Sequence, residues 1–123
     1  MLKQKALIDV LSQVNTSDVT GAMLFNKEGL LLAYSGYNDG KEAPAVSSAL
    51  IAGVWTALER RDMKENIIVM DEGTICSTIV ARTMLLAIKA SPKADLGMVR
   101  AKLQGLAKYL EGPISTISHE SQI

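Results

Sequence analysis

The chain has 123 residues, 48% of them apolar, and its 13 basic and 13 acidic side chains cancel to a formal net charge of zero. This length and composition fit one domain with one core and argue against a disordered chain. The even spread of charge gives no electrostatic reason to expect nucleic acid or an anionic membrane as the main partner. No apolar run approaches the ~18 residues of a membrane span. Neither a signal peptide nor a lipidation signal is evident, so we expect any membrane contact to be indirect, through a partner.

The first elements are predicted to be a helix and a hairpin. Residues 3–14 repeat their apolar side chains at spacings of three and four, which indicates an amphipathic helix. The members of this stripe are Leu7, Val10, Leu11 and Val14. Two apolar runs follow at residues 20–26 and 29–36, and the short separation at Lys27 and Glu28 predicts a tight antiparallel hairpin.

Three glycines within residues 26–40, NKEGLLLAYSGYNDG, raise the question of a phosphate-binding loop. A P-loop requires G-x-x-x-x-G-K-[ST], whereas GYNDGKE has the wrong spacing and a glutamate in place of Ser or Thr. The dinucleotide pattern G-x-G-x-x-G is also missing. Weak anion binding at the N-terminus of the next helix is the alternative. The simpler interpretation is a hairpin at Gly29, a strand end at Gly36 and a helix cap at Asn38 or Asp39.

Residues 42–59 predict a central helix without a charged side chain between its two terminal glutamates. One set of residues is expected to face the sheet: Val46, Ala49, Leu50, Gly53 and Ala57. A second set is expected to point sideways or outward: Ile51, Val54, Trp55 and Leu58. One outer helix of a small domain is not buried all round, so the second set predicts a protein–protein surface with Trp55 as its anchor. The alternative is that neighbouring loops cover this set.

Three further strands are predicted at residues 66–71, 74–80 and 82–90. Glu72 and Gly73 connect the first two, whereas no turn residue marks the boundary near Ala81. If the strand NIIVMD lies at the edge of the sheet, its unpaired backbone can pair with a strand of a partner. The alternative is an ordinary buried strand.

The last helix is predicted over about residues 95–111, with Asp95 as its cap and Gly112-Pro113 as its stop. Its apolar stripe consists of Leu96, Val99, Leu103, Leu106 and Leu110. We therefore expect one domain over residues 1–113 and a flexible tail over residues 114–123. The strands are mostly continuous apolar runs, which indicates a sheet covered on both faces. The predicted architecture is a helix–sheet–helix sandwich of the α+β or α/β class.

Residues that carry chemistry are scarce. His119, the single histidine, has no nucleophile motif near it, and Cys76, the single cysteine, lies within a predicted strand, which is typical of a buried structural thiol. One cysteine allows no internal disulfide and favours a reducing compartment. One histidine and one cysteine do not make a metal site. We expect no catalytic residue, no metal and no cofactor.

The segments KALIDVLSQVNT, NKEGLLLAYSGY and LGMVRAKLQGLAKYLEGP, together with Trp55 in the central helix, resemble the roadblock/LC7 family. More narrowly, they are similar to its late endosomal and lysosomal adaptor branch, the roadblock subunit of the Ragulator scaffold. The resemblance covers nearly the whole chain. It implies an α+β fold of the profilin-like type, in which a five-stranded antiparallel sheet carries the central helix on one face and both terminal helices on the other.

The resemblance also implies a function without catalysis. Family members pair with a second roadblock-fold protein through the central helix and the third strand, so that two sheets become one. By position, the partner-binding residues of the helix are Ser48, Ile51, Ala52, Val54, Trp55, Leu58 and Glu59, and those of the strand are Ile67, Ile68, Val69 and Met70.

The implied role is a scaffold for MAP-kinase signalling and for the Rag-type GTPases that recruit the TOR kinase complex. A separate lipidated subunit holds such an assembly on the cytoplasmic face of late endosomes and lysosomes. A homodimeric adaptor, like dynein light chains or bacterial GTPase regulators, is the alternative within the family. A small enzyme or nucleotide-binding module is a third hypothesis.

Overall fold

The computed structural model describes residues 4–16, 18–36, 44–58 and 64–121. Within these ranges the chain forms three helices and five strands in the predicted order. They are α1 (Gln4–Ser12), β1 (Val19–Asn26), β2 (Leu31–Gly36), α2 (Pro44–Leu58), β3 (Glu65–Met70), β4 (Gly73–Val80), β5 (Met84–Ala90) and α3 (Leu96–Ser121). The helix cap predicted at Asn38 or Asp39 lies outside the described residues.

The five strands form one sheet in the order β2-β1-β5-β4-β3, and every neighbouring pair is antiparallel. The α+β prediction with its five-stranded antiparallel sheet is therefore confirmed. The strand β3 is the last in the sheet, and it pairs with β4 through a register that joins Glu65 to Thr78 and Met70 to Gly73. The alternative of an ordinary buried strand is wrong.

The helices α1 and α3 cover one face of the sheet with a continuous apolar cluster. Alternate strand residues such as Leu24 and Leu86 point into it and meet Leu11 of α1 and Leu103 of α3, all four fully buried. The stripe predicted for α1 is confirmed, because Leu7, Leu11 and Val14 are buried and Val10 packs against the same cluster. The opposite face of the sheet is covered by α2 over a smaller cluster that includes Met23, Phe25 and Leu85.

The β1–β2 turn was predictable from the sequence, whereas the β4–β5 turn was not. Gly29 closes the β1–β2 hairpin with a φ of 91°, and its N–H donates to the carbonyl of Asn26 at 3.0 Å. A glycine adopts this left-handed conformation without steric cost, so the hairpin was visible in the sequence. Ala81 and Arg82 between β4 and β5 have φ of 52° and 65°, which costs a residue with a Cβ roughly 1–2 kcal/mol. This turn has no glycine, so its boundary was not marked.

The last helix differs from its prediction at both ends. Asp95 caps it as predicted, because the N–H of Met98 donates to its carboxylate at 3.2 Å. Leu96, however, is 42% exposed, whereas Val99, Leu103, Leu106 and Leu110 of the predicted stripe are buried. The helix also continues through Gly112 and Pro113 to Ser121, so the predicted stop is wrong. Ile114 is buried in the cluster shared with α1, and this burial favours further helix beyond the proline.

Candidate partner-binding surface

The central helix α2 lies on the sheet with the opposite orientation to the predicted one. Ser48, Ile51, Ala52 and Trp55 face the sheet and are each at most 7% exposed. The set predicted to face the sheet is turned outward instead: Val46, Ala49, Leu50, Gly53 and Ala57. Because the helix is apolar on both sides, hydrophobicity alone did not fix its rotation. The larger Ile51 and Trp55 side chains fill the space above the sheet, which the small residues of the other side would leave empty.

Two buried hydrogen bonds fix this rotation. The indole Nε1–H of Trp55 donates to Oγ of Ser77 in β4 at 2.9 Å, and Ser77 is 1% exposed. Oγ of Ser48 donates to the carbonyl of Gly29 at 2.8 Å, which ties α2 to the β1–β2 turn. A buried indole N–H needs an acceptor, so the turned-in tryptophan and the strand serine satisfy each other.

The outward side of α2 is an apolar stripe, here called the outer stripe: Val46, Leu50, Gly53 and Ala57. Leu50 is 63% exposed and Val46 is 51% exposed. Among the described residues, no atom outside the local helix backbone lies within 4 Å of a Cβ built on Gly53, so another surface can approach the helix closely there. An exposed apolar patch of this kind on a soluble domain typically marks a site of protein contact.

The strand β3 supplies a second exposed apolar surface at the edge of the sheet. Val69 is 75% exposed, Met70 39% and Ile67 37%. Ile67 and Val69 lie on the α3 side of the sheet, since Ile67 pairs with Cys76 and side chains alternate along a strand. Ile68 points to the other side and packs against the cluster beneath α2. No described strand pairs with the outer side of β3, so its backbone is open to pairing with a strand of a partner.

The first residue of this edge strand is tied to the far helix. The carboxylate of Glu65 accepts a hydrogen bond from Nε of Arg100 at 2.5 Å and one from Nε2 of Gln104 at 2.7 Å. Both partners belong to α3, so the beginning of β3 is held against that helix. The Glu65 carboxylate also raises the pKa of the Cys76 thiol.

The Cys76 thiol is buried among apolar side chains on the same face. Burial raises the pKa of this thiol above its ordinary value, the Glu65 carboxylate raises it further, and the Arg100 guanidinium lowers it in part. A raised pKa keeps the thiol protonated and unreactive at neutral pH. This agrees with the predicted structural role of the cysteine.

The predicted partner-binding residues fall into three groups in the structure. Ser48, Ile51, Ala52 and Trp55 are buried beneath α2, so the expectation that Ile51 and Trp55 lie uncovered in the single chain is wrong. Val54, Leu58 and Ile68 are half-buried, while Ile67, Val69 and Met70 are exposed. Glu59 lies outside the described residues.

Sequence reasoning missed the outer stripe and the contacts of Glu65. No local pattern indicated the stripe, because the hydrogen bond that turns Trp55 toward the sheet joins it to Ser77, 22 positions away. The contact of Glu65 with Arg100 joins residues 35 positions apart, and no local pattern indicates it.

Within the described ranges, no three residues of the His, Cys, Asp and Glu types stand close enough together to hold a metal ion. None of the described helices has both the length and the apolar character to cross a bilayer.

Comparison with known proteins gives consistent matches. The profile of the Roadblock/LC7 domain matches residues 5–90. A protein of Caenorhabditis elegans, the Ragulator complex protein LAMTOR2 homolog, is 67% identical over 122 residues, which cover 98% of each chain. Two solved structures of low identity share the fold. The gliding protein mglB of Thermus thermophilus aligns with a TM-score of 0.77 at 16% identity over 88% of this chain and 87% of its own. Profilin IB of Acanthamoeba castellanii aligns with a TM-score of 0.64 at 14% identity over 90% and 98%.

Proposed function

The chain belongs to the Roadblock/LC7 family, and from this premise we propose that it is a non-catalytic adaptor subunit that pairs with a second roadblock-fold protein in a Ragulator-type complex. The observation that carries the proposal is the 67% identity, over 98% of both chains, with a protein named as a LAMTOR2 homolog of the Ragulator complex. Identity at this level over nearly the whole length supports the same fold and the same kind of role in an assembly.

The exposed surfaces support pairing through β3 and the flank of α2. We place the partner against the open side of β3, where Ile67, Val69 and Met70 offer apolar contact and the backbone offers hydrogen bonds. Val54 and Leu58 of α2, which are half-buried in the single chain, extend this contact. Ser48, Ile51, Ala52 and Trp55 then act from beneath, since their packing on the sheet holds α2 in position.

The remaining parts of the proposal concern the assembly. A lipidated scaffold subunit would hold the pair at the cytoplasmic face of late endosomes or lysosomes, and Rag-type GTPases would bind the completed complex. Through them the subunit would support TORC1 and MAP-kinase signalling. These statements rest on the family branch that the 67% identity indicates.

The experiment compares two exposed apolar residues at opposite edges of the sheet. Val69→Lys on β3 changes a side chain that is 75% exposed, and Leu30→Lys beside β2 changes one that is 68% exposed. Neither change disturbs the core, so both variants should unfold at the wild-type urea concentration. Each is co-expressed with a second roadblock-fold subunit, and pairing is measured by affinity capture and sedimentation.

We expect Val69→Lys to lose pairing, because it puts a charge into the joined sheet, and Leu30→Lys to retain it. Equal pairing by both variants would show that β3 is not the interface. A tight dimer of the purified chain alone, in the absence of any other subunit, would favour a homodimeric adaptor instead.

A further inference from the structure

A groove opens between the β4–β5 turn and α3, on the side of the sheet away from α2. Its volume is about 460 Å³. Val80, 2% exposed, and Ala107, 9% exposed, contribute apolar atoms to its lining. Ile79 and Ala81 also line it, and its polar residues are Arg82 from the turn and Gln104, Lys108 and Glu111 from α3. The groove therefore combines an apolar base with a polar rim.

The charges on this rim have no partners among the described residues. The side chains of Arg82, Lys108 and Glu111 are exposed and make neither a hydrogen bond nor an ion pair within that part of the chain. The two cations stand on different elements, one on the turn and one on the helix, so they flank the groove rather than form one cluster. Both are available to a ligand without breaking a described contact.

Two internal contacts give the groove a fixed shape. Gln104 donates its Nε2 to Glu65 at 2.7 Å, which orients the amide and leaves its Oε1 as the acceptor. The N–H of Thr83 donates to the carbonyl of Val80 at 3.3 Å, and Ala81 and Arg82 adopt left-handed conformations that define the turn. A preformed site loses less conformational entropy when a ligand binds.

We propose that this groove binds an acidic, extended segment of a partner protein, with an aliphatic side chain on Val80 and Ala107 and carboxylates at Arg82 and Lys108. Such a segment also brings backbone N–H groups, for which Gln104 and Glu111 are acceptors. Phosphate chemistry fits less well. A phosphate leaves the apolar base unused. None of the residues that line the groove belongs to β3 or α2, so this inference does not depend on the proposed pairing.

The test measures binding of synthetic probes to the ¹⁵N-labelled full chain, together with any subunit that co-purifies with it. The main probe is a short peptide of alternating aspartate and leucine with blocked ends. Two matched peptides replace leucine by serine or aspartate by lysine. Inorganic phosphate and phosphatidylserine-containing vesicles serve as the other anions. Amide shifts of Val80, Ala107 and Lys108 report on the groove.

The variants remove the two cations without disturbing the backbone. Arg82→Asn suits a left-handed residue, and Lys108→Gln suits a helix. Each should weaken the aspartate–leucine probe about two- to fivefold, and the double variant about tenfold. Lys93→Gln, which lies beyond the other end of β5, is the matched control and should bind as the wild type does.

The proposal is supported if the aspartate–leucine peptide shifts these resonances, the matched peptides bind more weakly, and the double variant loses the effect. It is overturned if no shift occurs or if the double variant binds equally well. Equal binding of the serine peptide would show that the leucine side chains contribute nothing and that the peptide binds through nonspecific charge attraction. Stronger binding of phosphate or vesicles would assign it to a different anion or to a membrane, and each of these results also overturns the proposal.

Discussion

The two faces of the sheet differ in how many apolar side chains they bury. Among the described residues, eighteen buried apolar side chains fill the cluster beneath α1 and α3, whereas eight fill the cluster beneath α2. The larger cluster joins two helices and all the central strands, so most of the apolar burial, and with it most of the stabilisation, lies there. The α2 cluster is thinner and includes buried serines and an indole hydrogen bond, and the helix above it turns an apolar stripe outward. The α1/α3 face therefore contributes most of the stability, and the α2 side exposes apolar side chains.

The largest expected effect is on the α1/α3 face. Leu103→Ala removes a side chain with no exposure and should lower the free energy of unfolding by about 2–5 kcal/mol, because a cavity remains in a closed cluster. Leu50→Ala removes the same atoms from the outer stripe, where the side chain is 63% exposed, and should change stability by less than about 0.5 kcal/mol. Urea unfolding followed by circular dichroism measures both. Similar losses for the two variants would contradict the described rotation of α2.

An intermediate effect is expected beneath α2. Trp55→Phe leaves the buried Ser77 hydroxyl without its donor and should cost about 1–3 kcal/mol. Ser77→Ala should cost a similar amount, because it leaves the indole N–H without its acceptor. The double variant should cost less than the sum, since the lost bond is counted once, and this cycle separates the bond from the lost ring volume. Additive losses would mean that the two side chains do not interact.

The smallest effects are expected at two glycines, Gly53 in α2 and Gly29 in the β1–β2 turn. Gly53→Ala on the outer stripe should raise the free energy of unfolding by about 0.5–1 kcal/mol, because alanine favours a helix and the added methyl group meets no described atom outside the local helix backbone within 4 Å. Gly29→Ala should lower it by about 1–2 kcal/mol, because φ is 91° and the new Cβ would lie 2.9 Å from Cα of Ala49. The same urea titration measures both. A gain at Gly29 would show that the turn and α2 are not in close contact.

The order of elements and the hairpin turns followed from local sequence. Gly29 and Gly73 lie in turns where φ is 91° and 149°, which favours glycine. The continuous apolar strands indicated a sheet covered on both faces. The turn at Ala81 and Arg82 was not predictable, since neither residue type favours a left-handed conformation. The continuation of α3 past Pro113 was not predictable from local sequence either. Local propensity indicates a stop there, whereas the burial of Ile114 in the cluster with α1 favours a continued helix.

The exposed apolar surfaces of β3 and α2 were predicted only in part. The strand β3 was identified from its apolar run, and its place at the edge of the sheet makes Val69 and Met70 available. For α2 the sequence showed a helix too apolar to be covered on every side, but the side that contacts the sheet was assigned wrongly. A helix without charged residues has no polar side to guide the assignment. The side that faces the sheet is set by the Trp55–Ser77 and Ser48–Gly29 hydrogen bonds, which join residues about twenty positions apart.

The sequence by itself determined the family, the layered architecture and the presence of a helix whose apolar residues are too many to be buried on every side. The family was identified by resemblance over nearly the whole chain, whereas the layers and the apolar helix follow from periodicity, turn residues and composition, which are properties of neighbouring positions. The tertiary structure alone decided which residues of α2 are buried, which strand lies at the edge, and how Glu65, Arg100 and Gln104 meet beside a groove. These depend on contacts between distant segments, whose packing and hydrogen bonds select one arrangement from several that the local pattern permits.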